Sequence, residues 1–295
     1  MSKVWIITGS SRGLGAEIAK AAVAAGDQVV ATARNPESLK FLVDAYPDRA
    51  RAVALDVGDA RAARDAVKAA LDAFGRLDVV VNNAGYANVS PIEDVSDADF
   101  RTQFETNFFG VFNVTRAALP VLRKQRSGHI IQISSIGGRT GSSPGMSSYQ
   151  SAKWAVEGFS EVLQTEVRPL GIRVTIVEPG GFRTDWGGSS MRIDSISDDY
   201  QQTVGAYVGH TRENPDAVRG DPARGAQAVL KIAAMPEPPL RILLGTDALF
   251  LAGIVLKNRA AEDEKWRALS ASTDFEGLGD FADTPVAKML LSVRR

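Results

Sequence analysis

Tyr149 and Lys153 lie four residues apart in Tyr149-Gln150-Ser151-Ala152-Lys153, with Ser134 and Ser135 a short way upstream. Residues at i and i+4 of a helix share a face one turn apart. A free phenol titrates near ~10, too high for proton exchange at neutral pH. A fixed ammonium beside it favours the phenolate, which would make the tyrosine a usable acid or base. Taken alone, the pair also reads as two solvated neighbours on a helix surface. The elements around it have to decide.

A glycine-rich turn supplies the first context. Val4–Ile7 is a short apolar run, followed by Thr8-Gly9-Ser10-Ser11-Arg12-Gly13-Leu14-Gly15 and a helical pattern through Ile18, Ala19, Ala22 and Val23. Glycines let a backbone turn tightly and approach a ligand, and a helix N-terminus attracts phosphate. Further apolar runs at Gln28–Thr32, Ala52–Val57, Leu77–Val81, His129–Ile133, Ile172–Val177 and Leu240–Leu244 alternate with helical patterns at Asp59–Phe74, Ser96–Arg123, Tyr149–Val167 and Asp221–Met235. Strands alternating with helices through short connections predict an α/β fold: a Rossmann-like, doubly wound, parallel seven-stranded sheet with helices on both faces. Ligands of such sheets bind beyond the carboxyl ends of the strands. Asp56, Asn82–Gly85 and Ser134-Ser135 all fall there. His129 opens its strand at the opposite end and reads as structural.

The second strand runs into Ala33-Arg34-Asn35-Pro36, with no acidic residue before Glu37. An acid at this place suits a ribose 2′-hydroxyl, and an arginine suits a 2′-phosphate. Arg34, with Arg12 in the glycine turn, therefore favours NADP(H) over NAD(H). Asn107 shares the face of the long helix that carries Phe100, Phe104, Phe108, Val111 and Phe112. It reads either as a core amide bridging to a strand or as a group orienting a water or the lysine.

Bulk properties exclude other chemistries. The 295 residues are 44% hydrophobic and 23% charged, with a formal net charge of -1. No basic footprint for nucleic acid is visible. There is no cysteine, and His129 and His210 are the two histidines. Thiolate chemistry is ruled out and a metal site is not expected. The longest apolar stretch, Leu240 to Leu256, is broken by Arg241 and Asp247, so it reads as core rather than membrane. Val4–Ile7 begins too early to leave room for a signal peptide, and a cytoplasmic protein is expected. One catalytic domain is expected over residues 1–245, including a substrate lid at about 182–216, followed by a helical extension over 246–295. Phe182, Trp186, Met191 and Met146 could line an apolar cleft or simply pack the lid.

Together these motifs resemble the short-chain dehydrogenase/reductase family, from about Lys3 to Leu244. Its TGxxxGxG motif matches Thr8–Gly15, its NNAG motif Asn82–Gly85, its helix asparagine Asn107, and its Ser, Tyr and Lys match Ser135, Tyr149 and Lys153. Its PG motif with a following Thr matches Pro179, Gly180 and Thr184. The interval from Ser135 to Tyr149 is one residue longer than is common in the family, so Ser134 remains an alternative. The resemblance implies hydride transfer between nicotinamide and a carbonyl or secondary alcohol. Tyr149 would exchange the proton, Lys153 would hold the ribose, Ser135 would position the carbonyl oxygen, and Asn107 would keep a water in line with Lys153. Gly9, Ser11, Arg12 and Leu14 would line the pyrophosphate turn and adenosine ribose, Arg34 the 2′-phosphate, Asp56 and Val57 the adenine, Asn83 the adjacent ribose, and Thr184 the carboxamide. A homo-oligomer, dimer or tetramer, is also implied. A non-enzymatic NADP(H)-sensing regulator that binds a protein is the alternative, and the intact Ser-Tyr-Lys set argues against it.

Overall fold

The computed structural model describes residues 2–141, 143–184 and 191–293. The chain divides into two units, 1–249 and 250–295.

The first unit is built on a parallel sheet of seven strands: β1 (Val4–Ile7), β2 (Gln28–Ala33), β3 (Ala50–Ala54), β4 (Val79–Asn82), β6 (Gly128–Ile133), β7 (Ile172–Pro179) and β9 (Arg241–Leu244). Their order across the sheet is β3-β2-β1-β4-β6-β7-β9, and every pairing is parallel. The order reverses between β1 and β4, which opens a crevice at their carboxyl ends.

The strands are apolar almost throughout because helices cover both faces. On β1, Trp5 and Ile7 point into one core with Ile18, Val23, Val229 and Ile232. These belong to α1 (Gly13–Ala24) and α9 (Pro222–Ala234). Val4 and Ile6 point the other way, into a core with Ala66, Val114, Leu122 and Leu163. Those come from α3 (Ala60–Phe74), α5 (Gly110–Gln125) and α7 (Ser147–Val167). Two short turns, α2 (Lys40–Val43) and α6 (Gly137–Thr140), fill the links after β2 and β6.

Local signals set the boundaries. Asp59 and Asp221 cap α3 and α9, accepting from Arg61 N at 2.7 Å and Ala223 N at 2.8 Å. The third strand ends earlier than the run Ala52–Val57 predicts. Asp56 Oδ1 accepts from Gly58 N at 3.0 Å, and that local turn takes Asp56 and Val57 out of the ladder.

The long helix predicted over Ser96–Arg123 is broken in its middle. α4 (Asp97–Phe104) passes into a wide π turn, Glu105–Phe109, before α5 begins. The buried column there is Gln103, Asn107 and Val111. The phenylalanines predicted on that face flank it instead. Phe100 stacks on Phe104 at 5.5 Å, while Phe108 and Phe112 meet Phe159 edge-on at 6.1 Å each.

The region expected as a lid is ordered by a second, two-stranded parallel sheet. β5 (Ala87–Val89) pairs with β8 (Met191–Ile193). Three turns and α8 (Ala206–Glu213) follow. Trp186 lies outside the described residues.

The second unit contains most of α10 (Thr246–Lys265), then α11 (Arg267–Ala271) and α12 (Pro285–Val293). The stretch between α11 and α12 is tied locally, with Asp280 Oδ1 accepting from Ala282 N at 2.8 Å and Thr284 Oγ1 from Ala287 N at 3.1 Å. Among the described residues, no helix is long and apolar enough to cross a membrane.

Candidate active site

The crevice between β1 and β4 is shaped by close backbone approach. Gly9 has φ +66°, and a Cβ there would lie 2.9 Å from Ala84 Cα. A Cβ on Gly15 would collide with Asn83 Nδ2 at 2.3 Å. Only glycine fits either place. Thr8 joins the two strand ends, its Oγ1 accepting from Asn83 N at 2.9 Å and Ala84 N at 3.0 Å. Asn83 Nδ2 donates to Thr8 O at 3.0 Å and Gly9 O at 3.2 Å, so its amide braces the turn.

α1 begins at Gly13 with no side-chain cap from Arg12 and no acid in its first turn. Its leading N–H groups therefore lack a carboxylate partner from that turn and present a partial positive charge to the crevice. That arrangement fits a dinucleotide pyrophosphate. The Leu14 side chain packs on the core rather than facing the crevice. Ser11 sits in the same turn. Ser10 N donates to Thr32 O at 2.9 Å, which sets the turn beside the end of β2. Arg12 and Arg34 are both exposed on these adjoining segments. Thr184 closes the other side, since a Cβ on Gly13 would stand 3.6 Å from Thr184 Cβ. Asp56 is exposed beyond β3, while Val57 is buried and its carbonyl accepts from Asn113 Nδ2 at 3.0 Å.

Tyr149 and Lys153 are both buried, at 7% and 3% exposure. The Lys153 ammonium stands 5.8 Å from the centre of the Tyr149 ring and donates to Ile133 O at 2.7 Å. The two upstream serines are separated by their partners. Ser134 Oγ donates to Glu157 Oε1 at 2.7 Å. Ser135 hydrogen-bonds the Tyr149 phenol, and its Oγ also accepts from Gly137 N at 3.0 Å.

Asn107 comes to the same place from the π turn. Its Oδ1 accepts from Tyr86 N at 3.1 Å and its Nδ2 donates to Tyr86 O at 2.9 Å. A Cβ on Gly85 would touch Asn107 Oδ1 at 2.5 Å and stand 3.8 Å from Lys153 Nζ, so the amide and the ammonium converge on Gly85. In this state the side chain does bridge to a strand end, as the simpler expectation had it.

The electrostatics differ from the expectation of a phenol drawn toward neutrality. Burial pushes Tyr149 up to about 12, opposed by the Ser135 hydrogen bond. Burial pushes Lys153 down to about 8, opposed by the Glu157 carboxylate. Desolvation disfavours the charged form of each. The ammonium is turned to a carbonyl, and burial of the phenol outweighs its Ser135 hydrogen bond.

Against the Tyr149 ring lies an apolar cluster of Ala87, Val89, Met146, Val204 and Val208, with Met191, Tyr200 and Tyr207 at its margin. Met146 and Met191 thus belong with the tyrosine. Phe182 does not: its ring lies over α9, 2.6 Å from where Cβ atoms on Gly220 and Gly225 would stand.

Residues 3–192 match the family model for short chain dehydrogenase. The chain belongs to the short-chain dehydrogenase family. It is an oxidoreductase of that type, from a family that works with nicotinamide cofactors and small-molecule substrates. Oxidoreductase BOA17 of Botryotinia fuckeliana is 52% identical over 274 residues, 92% of this chain and 100% of that protein. A short-chain dehydrogenase from Streptomyces avermitilis superposes with a TM-score of 0.87 at 42% identity, covering 93% of this chain and 100% of its own. An alcohol dehydrogenase from Thermococcus sibiricus, complexed with 5-hydroxy-NADP, superposes at 0.68 with 26% identity, covering 83% and 96%.

Three features escaped the sequence reading. The strands β5 and β8 are too short to show a period. Glu157 falls in the same helical column as Tyr149 and Lys153, but its partner Arg241 sits on β9. The acidic segment Glu93–Asp99 meets Arg192, Ser197 and Tyr200 through contacts that no local pattern reveals.

Proposed function

We propose that the protein is an NADP(H)-dependent reductase of carbonyl compounds, acting on the matching secondary alcohols in reverse. The observation that carries this is the buried Tyr149 hydroxyl, hydrogen-bonded to Ser135, neighboured by the Lys153 ammonium and bordered by apolar side chains.

The nicotinamide, when bound, supplies the hydride. Lys153 and Thr184 would hold it, the Gly9–Leu14 turn its pyrophosphate, and Asp56, Val57 and Asn83 its adenosine end. Ser135 orients the carbonyl oxygen toward the phenol. Tyr149 stays protonated at neutral pH and donates to that oxygen, which favours reduction. Asn107, whose amide converges with the Lys153 ammonium on Gly85, would keep a water in line with Lys153 and so return its proton. Arg34, with Arg12 nearby in the chain fold, receives the 2′-phosphate. The NADP-bound Thermococcus enzyme supports the cofactor reading. The apolar cluster at Tyr149 favours a substrate with an apolar body.

A panel of aliphatic and aromatic ketones and aldehydes, assayed with NADPH and NADH in parallel, tests the proposal. Turnover is expected with NADPH, and Tyr149→Phe is expected to lower kcat about 10²- to 10⁴-fold while leaving NADPH affinity near that of the parent. Tight NADPH binding without turnover across the panel would sink it.

A further inference from the structure

One turn beyond Lys153 in the same column of α7 stands Glu157, 3% exposed. A carboxylate so deep has to be paired. Ser134 Oγ donates to its Oε1 at 2.7 Å, and the Arg241 guanidinium bonds its Oε2. Arg241 also forks to Glu178 Oε1 at 2.7 Å and Glu161 Oε1 at 2.9 Å. Glu178, fully buried at 0% exposure, takes a second cation in Arg139 at 3.0 Å. Counting Lys153, three cations and three carboxylates from β7, β9, α6 and α7 are gathered behind the phenol. Buried ion pairs are weak stabilisers, and packed apolar side chains would hold these elements as well. Their place beside Lys153 asks for another reason.

We propose that Glu157, kept ionised by Arg241, is a positioning residue that keeps the Lys153 ammonium charged and fixes which serine faces Tyr149. The inference rests on the role given to Lys153 above.

Two lines of geometry carry it. Lys153 donates to a backbone carbonyl, Ile133 O, and the buried Glu157 stands one helical turn further along the same face. Glu157 is the carboxylate that acts on it, working against burial. Glu157 is itself raised, by burial first and then by Glu178, with Arg241 and Ser134 opposing that rise. The charged groups facing Glu157 are Lys153 and Glu161 from its own helix, Glu178 from β7 and Arg241 from β9, with Arg139 of α6 reaching it through Glu178. Among the described residues, the titratable groups facing Lys153 are Glu157 and the Tyr149 phenol. The second line is steric. Ser134 is held by Glu157 through its hydroxyl and by Val177 O through its N–H at 2.8 Å, which leaves Ser135 for Tyr149. A Cβ on Gly138 would stand 2.5 Å from Glu157 Oε1 and 2.6 Å from Ser134 Oγ, so glycine is what lets α6 close over this pair.

The test is an NMR titration of the full-length protein labelled with ¹³C,¹⁵N-lysine. The Lys153 signal is assigned by its loss in Lys153→Met. In Glu157→Gln the midpoint is expected to fall by about one pH unit, the low end for losing an opposite charge. Glu157→Asp is expected to recover most of it. The alkaline limb of kcat should move in the same direction, with the KM for NADPH little changed. Should Glu157→Gln not fold, Arg241→Gln lets Glu157 take up a proton and shifts Lys153 the same way. An unchanged midpoint in either folded variant overturns the proposal, whether or not the enzyme turns over. A shifted midpoint in a protein that reduces nothing would instead count against the catalytic reading.

Discussion

The proposed preference for NADP(H) over NAD(H) rests on one side chain, Arg34. It follows the last residue of β2, and Glu37, the nearest acid beyond it, begins a separate turn whose N–H is taken by Asn35 Oδ1 at 3.1 Å. A hydrogen bond to a charged group contributes about 1.5–3 kcal/mol. Arg34→Ala is therefore expected to raise the KM for NADPH by about ten- to hundredfold and leave that for NADH nearly unchanged. Steady-state kinetics with both cofactors checks this, and an unchanged preference would send the phosphate contact elsewhere. Most candidate residues were legible at this scale because their chemistry depends on type and spacing. What spacing could not settle was Ser134 against Ser135. In the structure the Ser134 hydroxyl is taken by Glu157, which lies on another element.

The elements were legible where they are long and apolar. β1, β4, β6 and β7 fall close to their predicted places because both faces are buried and every residue contributes. β3 was displaced because Ala50 and Arg51 lack a strand's apolar signature, and because the turn at Asp56 competes with the ladder. The region expected as a lid was not legible in its contacts. β8 leads to a polar seam: Asp94 accepts from Ser197 N at 2.9 Å, Tyr200 donates to Glu93 at 2.8 Å, and Arg192 pairs with Asp99 at 2.8 Å. These groups are exposed, so each contact contributes little by itself. Together they hold Val204 and Val208 against Tyr149. Asp94→Ala is expected to raise the KM for the carbonyl substrate roughly two- to tenfold, the scale of a lost hydrogen bond, with kcat nearly unchanged. An equal fall in kcat would mean that the seam positions the phenol as well.

At the scale of the whole molecule, His129 links stability to pH. It is buried at the amino end of β6, away from the crevice, with its Nε2 2.9 Å from Thr175 Oγ1. The Thr175 hydroxyl donates to Pro239 O at 2.8 Å, so the imidazole Nε2 carries the proton and donates. Burial first, then the Lys3 and Arg173 charges, push its pKa down to about 4. The unfolded chain takes up this proton near ~6.5. Below that value the unfolded state binds more protons than the native one, so stability falls with pH until about 4. The full span is worth up to about 3 kcal/mol. Denaturant unfolding between these limits is expected to show the decline in the parent and a shallower one in His129→Gln. Identical slopes would assign the acid sensitivity to the carboxylates.

The wide turn between α4 and α5 stores one residue of slack inside a helix. An α-helix advances about 100° per residue, so a turn closed by i to i−5 pairing re-phases everything beyond it by about that angle. Removing one residue from Glu105–Phe109 would not shorten a loop. It would rotate Asn107 and Val111 relative to Gln103, and it would separate the amide from Tyr86 and from the lysine. Length variation that the chain absorbs at its surface turns would, at this place, be read out as a change of phase in the proton path.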